Sequence, residues 1–349
     1  VATFAWNTQR HLELYFAAPC SGRVLHTLNI RLFPEQLTYI VNHAEDEIIF
    51  IDTSIYALIE PLLSTFTTVK HLVFMNDGKG EAPASVPGFQ VHDYEQLVAQ
   101  SAPKQWPTID DENRAASMCY TSGTTGNPKG VVYSHRSTYL HTMGTMLTDS
   151  IGVGESDVIL PVVPMFHANA WGLVYASPIC GAKMVFPGPK LDGASIYELL
   201  DKEQVTLSAG VPTVWLALLD YCAQNKLKMS SVKRTLIGGS AVPLAMIERF
   251  YREHGAEVVQ GWGMTEMSPL GTTTRFNRGE RQLPDAERFA ITAKAGRPVF
   301  GCEMKIIDDA GNDLPHDGSV SGNLVVRGPW IVKGYMKGDG KNQFLNDDW

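Results

Sequence analysis

The sequence has few cysteines, and none of them lie in a pair that could form a zinc or redox motif. The five cysteines are Cys20, Cys119, Cys180, Cys222 and Cys302. Structural zinc sites need closely spaced cysteines or histidines, and disulfide frameworks use an even number of cysteines in small secreted domains. We therefore expect neither feature, and we expect a reducing cytoplasmic location.

An excess of basic residues is also missing, as are long apolar runs. The formal net charge is −8 at pH 7, which argues against nucleic acid as the main partner. No apolar run approaches the roughly 20 residues of a membrane-spanning helix, and no signal peptide pattern begins the chain. With 44% hydrophobic and 19% charged residues, the composition is typical of a globular protein.

Apolar segments of strand and helix character alternate from about residue 45 to residue 265. Strands are predicted at 48–51, 71–75, 157–164, 183–187, 205–212, 232–239 and 256–263, and helices at 54–64, 170–181, 195–204, 213–225 and 243–254. A polar, proline-rich connection is expected over 76–111, and short strands joined by Gly, Asp and Pro turns begin near residue 296. The alternation predicts an α/β fold with parallel strands covered by helices on both faces.

Four segments with unusual composition lie at the carboxyl ends of predicted strands. They are PMFHANAW at 164–171, AGVPT at 209–213, GGSAVP at 238–243 and QGWGMTE at 260–266. Ligands of open α/β sheets bind beyond the carboxyl ends of the strands. These segments therefore predict one shared ligand pocket.

The segment YTSGTTGNPKG at 120–130 has the residues of a phosphate-binding loop. Its glycines allow sharp turns and close approach to a ligand, its hydroxyls add donors, and Lys129 adds a mobile cation. It is not a P-loop, because Gly130 follows Lys129 where a magnesium-binding hydroxyl is required. A flexible linker is the alternative, but the apolar runs MCY and VVYSH on either side argue against it.

The other segments each allow a structural interpretation. Thr265 and Glu266 could supply oxygen ligands to Mg²⁺, or Glu266 could be a solvated residue in a turn. The glycines of GGSAVP could serve a tight turn with Ser240 as a helix N-cap. His167 and Trp171 could be ordinary structural residues.

Taken together and in order, the motifs YTSGTTGNPKGVVYSHR, PMFHANAW, AGVPTVW, GGSAVP and QGWGMTE resemble those of the adenylate-forming superfamily. This superfamily includes acyl-CoA synthetases, luciferases and peptide-synthetase adenylation domains. The chain most resembles bacterial medium- and long-chain fatty acid–CoA ligases. The segments LHTLNIRLFPEQLTYIVNHAED and VVRGPWIVKGYMK fit the same group, so the resemblance covers nearly the whole chain.

The resemblance implies a two-step reaction on small-molecule substrates. A fatty carboxylate attacks the α-phosphate of Mg²⁺-bound ATP to give acyl-AMP and pyrophosphate, and coenzyme A then takes the acyl group. It implies the large N-terminal domain of that fold. We expect its first part at 1–110, an ATP- and acyl-binding core at 111–295 and a β-rich subdomain at 296–349. A homodimer and peripheral membrane association are further hypotheses.

The resemblance also implies roles for individual residues. The phosphate-binding residues are Thr121, Ser122, Gly123, Thr124, Thr125, Gly126 and Lys129. The residues around the adenine and the adjoining phosphate are Gly239, Ser240, Ala241, Gln260, Gly261, Trp262, Gly263, Met264 and Thr265. Glu266 would bind Mg²⁺ with Thr121 nearby, and Thr265 would contact the α-phosphate. His167 would lie beside the reacting carboxylate, and Trp171 resembles a tryptophan that closes the fatty acid tunnel until ATP binds.

Some features depart from the family pattern. Trp262 replaces a tyrosine and keeps an aromatic face, and Asn323 replaces a glutamate in a turn. The chain begins at Val1 and stops at Trp349, before the motif that binds the ribose and the small C-terminal domain. We therefore expect a fragment that binds nucleotide and catalyses the reaction poorly or not at all.

Three alternative functions are weighed against a fatty acid ligase. A ligase for short carboxylates such as methylmercaptopropionate fits HANAWG equally well. An amino acid adenylation domain is disfavoured, because such domains place an acidic residue in this segment to bind the amine. A nucleotide-binding regulatory module without catalysis is disfavoured, because Lys129, Thr265 and Glu266 are all present.

Overall fold

The computed structural model describes residues 1–78, 80–121, 126–340, 343–345 and 349. In these residues the strands form two seven-stranded sheets and a two-stranded antiparallel sheet. The first sheet contains β1 Ala2–Phe4, β2 Leu25–Thr27, β3 Ile48–Asp52, β4 His71–Met75, β5 Gln90–Asp93, β6 Ala115–Tyr120 and β7 Gly130–Ser134. Its order is β5-β4-β3-β1-β2-β6-β7, and only β7 pairs in antiparallel orientation.

The second sheet carries the predicted ligand pocket. Its strands are β8 Val158–Pro161, β9 Lys183–Met184, β10 Leu207–Gly210, β11 Arg234–Ile237, β12 Glu257–Gly263, β13 Leu270–Thr273 and β14 Arg297–Pro298. The order is β14-β13-β12-β11-β10-β8-β9. From β12 to β9 the pairing is parallel, so the four predicted segments lie at one edge of this sheet.

The remaining sheet consists of β15 Glu303–Ile307 and β16 Asn323–Arg327. It lies in the predicted β-rich part at 296–349. Strand β6, from the predicted core at 111–295, pairs with β2 of the first 110 residues, and β7 pairs with β6. The three-part division of the chain stays a prediction.

Helices cover both sheets. Their bounds are Gln9–Cys20, Pro34–Ala44, Tyr56–Ile59, Tyr94–Gln100, His135–Met146, Leu173–Cys180, Gly193–Lys202, Pro212–Asn225, Leu244–Arg249 and Asp285–Thr292. One buried apolar cluster joins residues of the two sheets to the helices Gln9–Cys20 and Leu173–Cys180. Two further clusters pack outer helices against one sheet each. Burial of these apolar side chains is the main stabilising contribution.

Several predicted elements differ in detail from the observed ones. The predicted helix 54–64 is a series of short turns, 3₁₀ at Thr53–Ile55 and Glu60–Thr65 and α at Tyr56–Ile59, because Pro61 cannot donate a helical hydrogen bond. The predicted connection 76–111 contains β5 and the helix Tyr94–Gln100. That helix begins where the Asp93 carboxylate accepts a 2.8 Å hydrogen bond from the backbone N–H of Gln96.

The third difference is the predicted helix 243–254, which is α-helical only over Leu244–Arg249. It continues as a π turn at Phe250–His254 and ends at Gly255, which has a φ of +73°. No helix among the described residues is both long enough and apolar enough to cross a membrane.

Candidate active site

The main cavity lies at the carboxyl edge of the second sheet and has a volume of about 430 Å³. Residues that follow β8, β11 and β12 line it, together with residues of the hairpin between β6 and β7. The predicted residues on its wall are Thr121, Lys129, His167, Trp171, Gly239, Gly261, Trp262, Gly263, Met264, Thr265 and Glu266. No residue of the fourth segment, AGVPT, is among the described residues that line the cavity. Val211 instead packs near Gly239, with Cγ1 3.3 Å from a Cβ built on that glycine.

The predicted phosphate-binding loop is the turn of the β6–β7 hairpin. Thr121 and Lys129 close it: the Thr121 N–H donates to the Lys129 carbonyl at 3.0 Å, and the Lys129 N–H donates to Thr121 Oγ1 at 3.2 Å. Gly126 has a φ of +85° with open space around it, a conformation that favours glycine. Ser122, Gly123, Thr124 and Thr125 lie outside the described residues.

The Lys129 side chain is directed at the cavity. Its ammonium donates to Gln343 Oε1 at 2.8 Å and stands 5.2 Å from the ring centroid of Tyr335. An ammonium over an aromatic ring is attracted by the negative face of the ring. The cation is therefore held at the cavity wall by an amide oxygen and a ring.

Thr265 and Glu266 begin a 3₁₀ turn, Thr265–Met267, directly after β12. The Thr265 carbonyl accepts a 2.7 Å hydrogen bond from the Tyr133 hydroxyl, and the Glu266 carbonyl accepts one of 3.0 Å from the Val332 N–H. The Tyr335 hydroxyl donates to Glu266 Oε1 at 2.5 Å. Hydrogen bonds from Tyr133, Val332 and Tyr335 thus hold the first two residues of this turn.

A magnesium ion would find a carboxylate from Glu266 and a hydroxyl from Thr121 on the same cavity wall. Groups of three or more His, Cys, Asp or Glu side chains that could hold a metal are absent from the described residues. Mg²⁺ commonly takes one or two carboxylates and completes its shell with water and substrate phosphates. The residues present fit that mode of binding, because Lys129 and Glu266 line one cavity.

Glycines shape the wall opposite the loop. A Cβ on Gly238 would lie 2.9 Å from the Gly261 carbonyl oxygen, and one on Gly263 would lie 1.7 Å from that of Pro269. The pairing of β12 with β13 shifts register between Trp262 and Gly263, and such a bulge re-aims the residues around it. These glycines let neighbouring backbone segments pack closely, and Gly238, Gly261 and Gly263 all line the cavity.

Three of the predicted adenine-binding residues do not line the cavity. Ser240 and Ala241 are exposed beyond its rim. Gln260 is buried, and its Oε1 accepts a 3.3 Å hydrogen bond from the Val242 N–H. Gln260 thus holds the turn that carries Gly239.

The segment after β8 has a conformation that the sequence pattern does not predict. A right-handed helix is predicted over 170–181, but the helix begins at Leu173. Ala168, Asn169, Ala170 and Trp171 instead have positive φ values of 44°, 55°, 47° and 56°. Left-handed backbone costs about 1–2 kcal/mol per non-glycine residue, so surrounding contacts must hold this turn.

Asn169 supplies those contacts from inside the turn. Its Oδ1 accepts from the Tyr15 hydroxyl at 3.3 Å and from Cys119 Sγ at 3.6 Å. Its Nδ2 donates to Ser117 Oγ at 3.3 Å. Asparagine tolerates left-handed backbone better than most residues, and here its buried amide anchors the turn to β6.

A second asparagine fixes the approach to His167. The buried Asn7 side chain donates to the carbonyls of Pro161 and Val163, each at 2.9 Å, and accepts from the Met165 N–H at 2.7 Å. His167 is exposed on the cavity wall, yet the surrounding protein removes enough water to lower the pKa of its imidazole. The neutral ring is favoured at this position.

The cavity wall also carries apolar side chains. Ile151, Leu236 and Leu270 are among its lining residues, and Trp171 belongs both to this wall and to the apolar cluster between the sheets. Of the described residues on the wall, Glu266 is the one acidic side chain. The cavity therefore combines charged and apolar lining residues.

Sequence reasoning missed several residues of this wall, among them Ile151, Leu236, Leu270, Tyr335 and Gln343. Tyr335 lies in the segment VVRGPWIVKGYMK, where the sequence indicates only an overall resemblance. Its distance along the chain from the strand-end motifs gave no signal of contact with Glu266.

The chain was compared with known proteins. It matches the AMP-binding enzyme family over residues 1–336. It is 47% identical to a 3-methylmercaptopropionyl-CoA ligase of Ruegeria lacuscaerulensis, covering all of this chain and 64% of that protein. It is 46% identical to a medium-chain-fatty-acid–CoA ligase of Ectopseudomonas oleovorans, covering all of this chain and 63% of that protein.

A solved structure shares the fold. The crystal structure of an anthranilate CoA ligase in complex with anthranoyl-AMP superposes with a TM-score of 0.85 at 21% identity, covering all of this chain and 64% of that one. The chain therefore spans somewhat less than two thirds of the length of these proteins.

Proposed function

The chain belongs to the AMP-binding enzyme family, and we propose that the protein activates a fatty carboxylate with Mg²⁺ and ATP and transfers the acyl group to coenzyme A. In the first step a carboxylate oxygen attacks the α-phosphorus of ATP, the bond to the bridging oxygen breaks, and pyrophosphate leaves. In the second step the thiol of coenzyme A attacks the acyl carbon and AMP leaves. The preferred substrates are medium- or long-chain fatty acids.

One observation carries this proposal: the wall of a single cavity holds both charged and apolar side chains. Lys129 and Glu266 line it and both contact Tyr335, so phosphates and a divalent cation would lie beside these residues. Phosphoryl transfer of this kind depends on positioning and charge stabilisation more than on covalent catalysis. The apolar lining residues, among them Leu236 and Leu270, suit an alkyl chain.

Each polar residue has a defined task in this proposal. Thr121 and Lys129 hold the β- and γ-phosphates, and Glu266 binds the metal with Thr121 nearby. Thr265 contacts the α-phosphate. The glycine wall from Gly261 to Gly263 receives the adenine. Magnesium, when bound, neutralises charge on the phosphates and on the leaving pyrophosphate.

The neutral imidazole of His167 suits a place beside the reacting carboxylate. Its lowered pKa keeps it uncharged at neutral pH, so it can donate one hydrogen bond without forming an ion pair that would weaken the nucleophile. A His167→Ala variant is expected to lose the formation of acyl-AMP. Its affinity for ATP, measured by isothermal titration calorimetry, should be unchanged.

Amino acids are poor candidates for the substrate. Among the described wall residues the one carboxylate is that of Glu266, which this proposal assigns to the metal. The substrate amine of an amino acid would therefore have no acidic partner of its own on the described wall, and a buried unpaired ammonium is costly.

A short carboxylate is the second candidate substrate. One relative at 47% identity is named for 3-methylmercaptopropionate and another at 46% for medium-chain fatty acids, so identity does not separate the two classes. Trp171 stands on the cavity wall. In this proposal, movement of its indole would decide the length of the acyl chain that the cavity accepts.

Substrate-dependent exchange of pyrophosphate into ATP tests the proposal. We expect alkanoates of medium or long chain to support pyrophosphate exchange by the full-length enzyme. Acetate and amino acids should support weaker exchange. A maximum at 3-methylmercaptopropionate would favour the second candidate. Exchange supported by amino acids and by no alkanoate would contradict the proposal.

The cellular setting is also a proposal. All five cysteines are free thiols, which supports a reducing cytoplasmic compartment. A homodimer and peripheral membrane association remain hypotheses, to be checked by light scattering and by vesicle sedimentation.

A further inference from the structure

Tyr335 lies between the two charged side chains of the cavity. Its hydroxyl donates to Glu266 Oε1 at 2.5 Å, and the Lys129 ammonium stands 5.2 Å from its ring centroid. One side chain therefore contacts the carboxylate proposed to bind a metal and the cation proposed to bind phosphate.

The position of Tyr335 is fixed by its backbone. Tyr335 forms an isolated antiparallel bridge with Val131, the second residue of β7. Three residues earlier, the Val332 N–H donates to the Glu266 carbonyl at 3.0 Å. Val332 and Tyr335 also pack on the small apolar cluster of Cys119, Val131 and Tyr133. The segment is thus bound to both elements whose side chains Tyr335 contacts.

The hydrogen bond leaves one carboxylate oxygen of Glu266 for another ligand. Glu266 Oε1 accepts from Tyr335, and none of the hydrogen bonds between described residues involves Oε2. The Glu266 side chain lines the cavity. A carboxylate held by one oxygen rotates less freely, and hydrogen-bond partners of this kind orient metal ligands in many sites.

We propose that Tyr335 is a positioning residue that acts on both charges: its hydroxyl orients the Glu266 carboxylate toward a divalent cation, and its ring supports the Lys129 ammonium for phosphate binding. This inference rests on the proposed function, because it assumes that a metal–nucleotide complex occupies the cavity. The two contacts can be separated by substitution, since phenylalanine keeps the ring and removes the hydroxyl.

Metal binding tests the hydroxyl without any turnover. Mn²⁺, which gives a strong electron paramagnetic resonance signal when free, is titrated into the full-length protein in the presence of ATP. Tyr335→Phe is expected to raise the dissociation constant of Mn²⁺ about tenfold. The matched control is Tyr94→Phe, which removes a hydroxyl that donates to the Glu13 carboxylate far from the cavity, and which should bind Mn²⁺ like the unsubstituted protein.

Nucleotide binding without metal tests the ring. In the presence of EDTA, Tyr335→Phe should bind ATP with unchanged affinity. Tyr335→Leu, which lacks the aromatic face, should bind it about threefold more weakly, because a cation–π contact at a partly exposed site is modest. Circular dichroism and thermal midpoints of both variants establish that they fold.

The outcomes distinguish this inference from the proposed function. Mn²⁺ affinity in Tyr335→Phe equal to or higher than that of the unsubstituted protein would overturn the orienting role, and a higher affinity would mean that the hydroxyl competes with the metal. Failure of the unsubstituted protein to bind Mn²⁺ with ATP would overturn the metal assignment in the proposed function as well. Equal ATP affinity in the phenylalanine and leucine variants would remove the role of the ring.

Discussion

The indole of Trp171 lies against Gly238, so closely that a Cβ built on Gly238 would stand 3.3 Å from Trp171 Cη2. Trp171 is 9% exposed and belongs to the apolar cluster between the sheets, yet it also lines the main cavity. The ring thus occupies the border between the cavity and the interior. We propose that this ring closes the path of the acyl chain until ATP binds.

Replacing this ring tests the gate. In the unsubstituted protein a non-hydrolysable ATP analogue should raise the affinity for a fluorescent fatty acid. In Trp171→Ala the fatty acid should bind equally well with and without the analogue, because the indole no longer blocks the path. Trp106→Ala, which removes an exposed ring, is the control. If the ATP analogue still raises the affinity of Trp171→Ala for the fatty acid, the indole does not act as a gate.

The charge of Glu266 is testable with an isosteric change. Glu266→Gln keeps an oxygen that can accept from the Tyr335 hydroxyl, but it lacks the charge for a metal. Pyrophosphate exchange should fall by at least about 100-fold, as when a group that stabilises developing charge is lost, with an unchanged thermal midpoint. Glu198→Gln, on the exposed side of a helix, should exchange normally. If Glu266→Gln exchanges pyrophosphate as fast as the unsubstituted protein, the assignment of Glu266 to the metal is wrong.

Gly172 ends the left-handed turn and has a φ of +81°, and an added Cβ would lie 2.5 Å from His141 Cε1. Gly172→Ala therefore combines backbone strain with overpacking, and should lower the free energy of unfolding by about 2 kcal/mol or more. Gly154→Ala is the matched control, because nothing lies within 4 Å of its added Cβ. Equal urea midpoints for the two variants would contradict the described turn.

His141 gives a pH dependence to stability. The residue is buried, its Nε2 accepts a 3.2 Å hydrogen bond from the Leu270 N–H, and burial lowers its pKa to about 3. Between that value and the ordinary pKa near 6.5, the unfolded state binds more protons than the folded state, so stability rises with pH. Acidification from pH 7 toward pH 4 should therefore lower the thermal midpoint.

A substitution isolates this contribution. His141→Gln keeps an acceptor near Leu270 and removes the titration, so its thermal midpoint should fall less steeply with acidification than that of the unsubstituted protein. The maximum effect of one such group is about 1.4 kcal/mol per pH unit. His11, whose pKa burial lowers to about 4, remains in the variant and accounts for residual slope. Identical slopes would mean that His141 does not stay neutral.

The parts of the fold that follow from local pattern were predictable. Buried strands such as Ile48–Asp52 and His71–Met75 are continuous apolar runs between polar turns, and the rule for parallel sheets brought His167, Gly239 and Glu266 to one edge. That rule applies to sheets of parallel strands. The alternation of strands and helices along the sequence predicts such a sheet.

Features set by tertiary contacts were not predictable. The left-handed turn at Ala168–Trp171 has a helical composition, and the distant contacts of Asn169 with Tyr15, Cys119 and Ser117 hold it in place. The helix Tyr94–Gln100 was hidden by polar and proline-rich surroundings. Tyr335 reaches Glu266 across 69 positions of sequence, a contact that no local spacing encodes.

The transfer of oxygen from substrate to nucleotide tests the central claim most directly. The full-length enzyme is incubated with Mg²⁺, ATP, coenzyme A and an alkanoate labelled with ¹⁸O in both carboxylate oxygens, and the products are analysed by mass spectrometry. If the carboxylate attacks the α-phosphorus, the AMP released will carry one ¹⁸O and the pyrophosphate none. Label in pyrophosphate or orthophosphate, or formation of acyl-CoA with unlabelled AMP, would contradict the account.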